Sequence, residues 1–440
     1  MSKKKRLLCL SLIVLLFIAI LFCSWFFGTA RKLNRAEVLL NAGEREAALT
    51  LLDRAAGTAS QDHRYRLVVL YNKADAVDSL EGVVRGMVQD KPKDARTFAA
   101  RLILDWAADI GSRDQIYAEA EAQGIDLSAL TPNAPATKES DGAVVAPLTE
   151  VEIFPYRSTE QVYLEINGTK ANRNSPAYSA PLLAVYGDYP ISAVSLNADG
   201  IPSPTMSRTL TVTETAPVYF ADPTFEAVIL GTLDETEYRE VTNAEIRGID
   251  HLILNASIGE SFFADEFRSF YDLRYFAHVS RLGISQSQDL QDLSPLSGLY
   301  GMKHFALYGP LEDNFEHIAS LRSLNSLSLE RPMIDSLAVI QKMPALTSLR
   351  ITAGEISDLS ELLSHKSLTS LQLDYQNISD ITPLSALTNL ETLNLYDNEI
   401  SDITPLLSLN KLKHLDLRQN PVDAGADLEL PTLETYLIGE

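Results

Sequence analysis

A chain of 440 residues with 46% hydrophobic content has material for several cores, and two to four domains fit that length. Its formal charge is −22; Lys3, Lys4, Lys5 and Arg6 place +4 within the first 30 residues, so the remainder carries −26. So acidic a body argues against a nucleic-acid partner and against broad adsorption to anionic lipid. The two cysteines, Cys9 and Cys23, both lie in the apolar N-terminal run. Everything after that run therefore lacks disulfide frameworks, CxxC zinc sites and thiol catalysis.

The run itself, Leu7 to Phe27, is uncharged and follows the basic cluster Lys3 to Arg6. As a helix it spans about 31 Å, enough to cross a hydrocarbon core. Gly28-Thr29-Ala30 supplies a small-residue exit for a signal peptidase, but the apolar stretch is long for a cleaved signal. An uncleaved signal anchor is the better reading. The cations before the helix, against Arg31, Lys32 and Arg35 after it, orient the N-terminus inside and the rest outside. The expected location is therefore a single-pass cell-membrane protein with its C-terminal domains extracytoplasmic.

Residues 31–125 read as helical. Ala36, Leu39, Leu40, Gly43, Ala48, Leu49, Leu52 and Ala55 alternate small and large as two helices packed around Gly43 would. Gly111 follows 68 residues later, twice a 34-residue period, and Lys91-Pro92-Lys93-Asp94 suits a helix-to-helix turn. This region resembles tetratricopeptide units, with Arg45 where that family usually has an aromatic residue. The resemblance implies peptide or protein docking; a plain helical spacer carries the same pattern. Trp106, among Leu102, Ile103, Leu104 and Ala107, reads as core. Residues 126–150, with Pro132, Pro135 and Pro147 and no apolar period, read as an extended linker.

Over 151–215 the apolar period shortens to two, as in Val162-Tyr163-Leu164-Glu165-Ile166, Ala193 to Leu196 and Leu210 to Val212. Asn167-Gly168 and Asp199-Gly200 are hairpin signals between such runs. Tyr163 to Thr169, Ser175 to Leu182 and Ala193 to Ser203 resemble the chitobiase/β-hexosaminidase C-terminal domain, which implies a small immunoglobulin-like β-sandwich without catalytic residues. Tyr156, Tyr163, Tyr178, Tyr186 and Tyr189 suggest a sugar-stacking surface or, more simply, strand tyrosines packed in a half-buried sheet.

From 216 onward the chain has two helix starts and then a repeat. Asp222-Pro223 opens the first helix and Thr242-Asn243-Ala244-Glu245 the second. The strand-like apolar pairs are Leu252/Leu254, Leu282/Ile284, Phe305/Leu307, Leu327/Leu329, Leu349/Ile351, Leu371/Leu373, Leu393/Leu395 and Leu415/Leu417, spaced by 22 from Phe305 onward. Ser379-Asp380-Ile381-Thr382-Pro383-Leu384 recurs at Ser401 to Leu406. A unit this short must bury its leucines against its neighbours, so the array is a solenoid. Leu390 to Ile400 resembles the leucine-rich repeat, and the period with Asp-Ile-x-Pro-Leu resembles its internalin-type subclass, with residues 216–248 as the N-terminal cap and 249–440 as the repeats. The 30-residue first interval, with Phe262, Phe263, Phe267, Phe270 and Tyr271, reads as a convex bulge covering core. A ninth strand at Tyr436 to Ile438 leaves almost no C-terminal cap. Asn398 and Asn420 hold the family's ladder asparagine, while Gln376, Gly354, Pro332 and Pro310 replace it, which predicts looser turns in the middle repeats. Asp292, Asp358, Asp380 and Asp402 are expected to cap the turn before each convex segment rather than bind cations.

The overall expectation is multidomain: an anchor (1–30), helices (31–125), a linker (126–150), a β-sandwich (151–215), a cap and an α/β solenoid with its parallel sheet on the concave face. Outward columns of that sheet carry His304, Tyr308, Arg331, Arg350, Asp374, Tyr375, Tyr396, His414, Asp416 and Arg418 as candidate partner-binding residues, because Tyr and Arg dominate binding hot spots. The seven histidines fall in separate repeats or domains, and HExxH, GxSxG, P-loop and GxGxxG motifs are absent. The reading is a non-enzymatic bacterial surface protein, without cofactor or metal, whose repeats bind a protein or surface glycan. The alternative is an envelope scaffold that docks partners through its helices.

Overall fold

The computed structural model describes residues 29–235, 237–255, 269–285, 292–309, 315–423 and 428–439. The expected membrane helix, residues 7–27, lies outside them. Among the described residues no helix is long and apolar enough to cross a membrane. The chain divides into two compact units. The first is 1–135 with 155–162 and 194–205; the second is 136–154, 163–193 and 206–440.

The first unit is a stack of helices: α1 (29–41), α2 (Arg45–Ala56), α3 (Gln61–Lys73), α4 (Val77–Asp90), α5 (Ala95–Ala107) and α6 (Arg113–Ala122). They form three successive hairpins. Gly43 closes the first at φ 79 and Gly111 the third at φ 80, beside Asp109 at φ 52. Nothing lies within 4 Å of a Cβ built on Gly43, so the helices do not pack around it; its role is the left-handed backbone at a helix end. The middle turn uses Asp75 at φ 50. It lies 34 residues before Asp109 and so keeps the period, but has no glycine to mark it. Helix α5 is central and buries Phe98, Leu102, Ile103 and Trp106. Arg45 donates from Nε to Ala74 O at 2.8 Å, so a cation tying two hairpins stands where an aromatic residue was expected.

The 194–205 hairpin tip completes this unit. Ile201 is in the helical core, Tyr117 donates to Pro202 O at 2.7 Å, and Arg113 donates to Thr205 Oγ1 at 2.6 Å. Gly200 takes φ 79, and a Cβ there would collide with Asn72 Nδ2. Trp106 is core, as expected, with the Arg113 guanidinium 5.8 Å from its ring.

In the second unit, strands β1 (Ala143–Val144), β3 (Gln161–Glu165), β5 (Gly187–Leu196) and β6 (Met206–Val212) form one sheet in the order β1-β6-β5-β3. Strands β2 (Thr149–Val151) and β4 (Leu182–Ala184) form an antiparallel pair. The proline-rich 126–150 stretch therefore supplies two short strands. Tyr163 and Tyr189 are buried, and Tyr178 stacks on Tyr300 with centroids 6.0 Å apart. These three tyrosines pack, whereas Tyr186 is half-buried and Tyr156 is 67% exposed.

The remainder is the solenoid. Helix α7 (Pro223–Thr232) is capped by Asp222, which accepts from the Thr224 and Phe225 amides. Helix α8 (Asn243–Gly248) opens on a Thr242/Glu245 capping box. Short strands β7 (Pro217–Val218) and β8 (Val241–Thr242) tie the two together. Among the described residues nine parallel strands follow in chain order: β9 (His251–Asn255), β10 (Arg281–Ser285), β11 (His304–Tyr308), β12 (Ser326–Glu330), β13 (Ser348–Thr352), β14 (Ser370–Gln372), β15 (Thr392–Asn394), β16 (His414–Asp416) and β17 (Thr435–Leu437). Both members of each expected apolar pair are in register from β9 to β13, as are Leu371, Leu393 and Leu415 beyond, and every residue of the pairs is 2% exposed or less. Burial of each such side chain is worth about 1.5–3 kcal/mol. Single 3-10 turns and helix α9 (Phe315–Ala319) return the chain on the other side. Of the first interval's aromatics, Phe270 is buried and Tyr271 half exposed; Phe262, Phe263 and Phe267 lie outside the described residues.

The aspartate column caps these returns as expected. Asp292, Asp358, Asp380 and Asp402 each accept, at 2.8–2.9 Å, from the amide two residues on. The amide ladder is longer than the two asparagines indicate. Asn398 accepts from Ile378 N and donates to Leu373 and Leu395 O, and Asn420 does the same one repeat later. Gln376 makes the equivalent bonds to Ile356 N and Ile351 O. It has room because the preceding column residue is Gly354, where a Cβ would stand 2.8 Å from Gln376 Oε1. The expectation of a loose turn fails for this repeat: the extra methylene of glutamine fills the space glycine leaves.

Earlier repeats are braced differently. Tyr300 Oη accepts from Ala180 N at 3.0 Å and donates to Ala180 O. One repeat on, Arg322 lies 5.2 Å from the Tyr163 ring centroid and donates to Arg173 O. Both stand on the flank that leads into β11 and β12. Beside Tyr300, a Cβ on Gly301 would meet His278 O at 2.6 Å, so only glycine lets these turns stack.

Candidate functional site

Outward positions of the parallel strands form columns whose rungs are about 4.8 Å apart. One further column is set by backbone conformation. Arg331, Ala353, Tyr375, Asp397 and Gln419, each just beyond a strand, are left-handed with φ 52–59. Each amide still reaches the carbonyl of the next rung, as Tyr375 N does to Tyr396 O at 2.9 Å, before the chain turns away. Such a conformation costs a non-glycine residue on the order of 1 kcal/mol. The ladder on one side and the buried amide column on the other hold it in place.

That geometry assembles most of the predicted residues toward the C-terminal rungs. Tyr375, 48% exposed, meets Tyr396 at 5.2 Å between ring centroids, tilted by 60°. The Arg418 guanidinium lies 5.5 Å from the Tyr396 ring and grips Asp416 through Nε at 3.0 Å and a terminal nitrogen at 2.7 Å. Burial alone would raise the Asp416 carboxyl, but the bonds from Arg418 hold it below the usual range. Burial, then Tyr396 and the flanking Asp397 and Asp374, push the Tyr375 phenol up, so it stays a hydroxyl donor. Beside this cluster Asp374 is buried and accepts from Thr352 Oγ1 at 3.2 Å, and Arg350 Nε reaches the same hydroxyl at 3.4 Å.

The other candidates stand apart. Arg331 is exposed, 3.9 Å from Glu330. His414, in the first column, lies 3.3 Å from Thr435 Oγ1. His304 and Tyr308 are on β11, three rungs before β14. Sequence reasoning left out Thr352, which links Arg350 to Asp374. It also passed over the outward residues of β9 and β10, although the Leu252/Leu254 and Leu282/Ile284 pairs point to them.

A second feature lies in the helical unit: a cavity of about 390 Å³ lined by Asp53, Arg64, Tyr71, Gly82 and Gly86, among others. Tyr71 donates to Asp53 at 2.7 Å, and Arg64 pairs with Asp90. Among the described residues no group of three or more His, Cys, Asp or Glu is placed to hold a metal ion.

Residues 366–408 and 388–432 match the family model described as Leucine Rich repeats (2 copies). These are the repeats that carry the Tyr375–Tyr396–Arg418 cluster. No curated protein matches the chain. Solved structures similar to it include internalin C2 from Listeria monocytogenes, 25% identical over 50% of this chain and 93% of that one, with a TM-score of 0.40. Internalin inlF from the same organism is 22% identical over 47% of this chain and 85% of that one, with a TM-score of 0.30. The leucine-rich-repeat ectodomain of the receptor kinase SOBIR1 from Arabidopsis thaliana is 22% identical over 30% of this chain and 66% of that one, with a TM-score of 0.23.

Proposed function

We propose that this is a membrane-anchored, internalin-like surface protein that binds a protein partner through the concave face of its leucine-rich repeats, without enzymatic activity. The observation that carries this reading is the continuous chain of Tyr375, Tyr396, Arg418 and Asp416 on a stiff parallel sheet, with Tyr375 and Arg418 nearly half exposed and Asp416 largely covered beneath the guanidinium. Aromatic area, a directed guanidinium and preset hydrogen bonds are what a hot spot needs, and their rotamers are already restricted before binding. Arg350 extends the surface, and the buried Asp374 holds Thr352 beside it; His304, Tyr308, Arg331 and His414 border it. The apolar run at residues 7–27 anchors the chain, with the later domains outside the cell. Protease treatment of intact cells should digest the repeats.

The test is a pull-down with the purified ectodomain, repeated with Tyr375→Ala, Tyr396→Ala and Arg350→Ala combined. A folded triple variant should lose the partner; one that retains it places the site elsewhere. Capture of a polysaccharide in place of a protein would select the surface-glycan form of the same reading.

The second reading is an envelope scaffold that docks partners through a tetratricopeptide-like helical region, with the chitobiase-like β-domain as an accessory module. The cavity at Tyr71 and Asp53 favours it. Because Ile201 belongs to the helical core, a fragment ending at residue 125 is a poor test. Gly82→Phe in the whole chain fills the cavity instead, where a Cβ meets nothing within 4 Å. Loss of the partner with that variant, and not with the triple variant, selects the scaffold.

A further inference from the structure

The first three rungs of the concave face differ in chemistry from the rest. Arg281 pairs in register with His251 on one side and His304 on the other. Three basic side chains therefore stand in one column at successive rungs, about 4.8 Å apart, and all three residues are exposed. In a chain of net charge −22 this is a local reversal of sign. From β12 to β15 the same column holds Ser326, Ser348, Ser370 and Thr392.

Beside the basic column is an apolar notch. Ile253, 61% exposed, is in register with Gly283, and Gly283 with Ala306. A Cβ on Gly283 would touch the Ile253 side chain at 4.0 Å, so glycine leaves a shallow seat flanked by an isoleucine and an alanine. The third column supplies hydroxyls from Ser285 and the 44% exposed Tyr308.

An acidic group beside this column is Asp250. Its carboxylate accepts from Ser280 N and Oγ at 3.2 and 2.9 Å and lies 3.3 Å from His251 Nε2. Among the described residues of the strands' outward columns nothing acidic stands between these rungs and Glu330 on β12. Partial burial, then Arg281 and His251, hold the His304 imidazole below its ordinary range. An anion placed among the three would reverse the last two effects and favour the protonated ring.

We propose that β9, β10 and β11 form a second binding site, for an acidic segment of a protein partner. The site takes a carboxylate on Arg281 between the two imidazoles and an adjacent aliphatic side chain on the Ile253–Gly283–Ala306 seat. Binding is coupled to proton uptake and tightens as pH falls. The site uses His304 from the face discussed above but does not depend on a partner at Tyr375 and Tyr396.

The test titrates the whole chain with a synthetic Glu-Leu-Glu-Leu-Glu peptide at pH 7.5 and 5.5, with a Gln-Leu-Gln-Leu-Gln peptide as the neutral control. Between these pH values free glutamates stay largely ionised, while the charge on an ordinary imidazole rises. Binding should be about tenfold tighter at pH 5.5. Arg281→Gln should weaken it about tenfold or more, as loss of a charge-assisted bond does. Arg281→Lys should keep part of the affinity, and His304→Gln should flatten the pH dependence. Tyr375→Ala with Tyr396→Ala should leave it unchanged. Urea midpoints matching the parent establish that each variant is folded. No binding at pH 5.5, equal binding of the neutral peptide, or an unaffected Arg281→Gln would each overturn the proposal. So would loss of the peptide on removing Tyr375 and Tyr396.

Discussion

The early and late repeats are braced by different means. From β14 onward each turn after a strand is closed internally, by Gln376, Asn398 or Asn420 reaching buried backbone groups of its neighbour. After β12 the column residue is Pro332, and Ile334 N turns back to Pro332 O at 2.9 Å instead. The repeats leading into β11 and β12 are instead clasped on their flank by Tyr300 and Arg322, which reach β-domain residues 180, 163 and 173. The Tyr300 hydroxyl and the Arg322 guanidinium serve backbone groups of the β-domain, so they tie these repeats to it and do not take over the bonds of the amide ladder.

That contrast is breakable at measurable cost. Asn398→Ala should be the most damaging change, because it strips the Ile378 amide and the Leu373 and Leu395 carbonyls of their partner inside the core. About 3 kcal/mol or more of stability should be lost in urea unfolding, whereas Pro332→Ala should lie within about 0.5 kcal/mol of the parent. A loss for Asn398→Ala as small as that for Pro332→Ala would mean that the ladder is dispensable. Tyr300→Phe should cost about 1–2 kcal/mol, since it keeps the stacked ring and removes only the hydroxyl that serves Ala180. A neutral result would show that packing alone holds the β-domain to those repeats. The smallest effect sharpens the middle of the array. Gly354→Ala should cost about 1 kcal/mol by crowding Gln376, and Gln376→Asn in the same chain should recover most of it. Additive losses would rule out the proposed fit between the two side chains.

Much of the candidate site was legible before any coordinates. Period-two apolar pairs define which strand residues point outward, so Tyr396, Asp416 and Arg418 could be placed on one face. The union of Tyr375 with Tyr396 was not legible, because it depends on the left-handed backbone at 375. The basic column was legible from the Leu252/Leu254 and Leu282/Ile284 pairs but passed over, because the regular 22-residue spacing begins only at Phe305.

Short-range order was thus determined by sequence alone: the 22-residue period, the strand pairs, the Asp222 and Thr242 caps and the aspartate turns. These depend on side-chain alternation and on hydrogen bonds two or three residues long. Tertiary structure decided what joins distant segments. Tyr117 meets Pro202 across 85 residues and Tyr300 meets Ala180 across 120. Gln376 could replace an asparagine only because Gly354 stands in the next rung. Such contacts depend on the path of the whole chain and leave no periodic trace in the residues that make them.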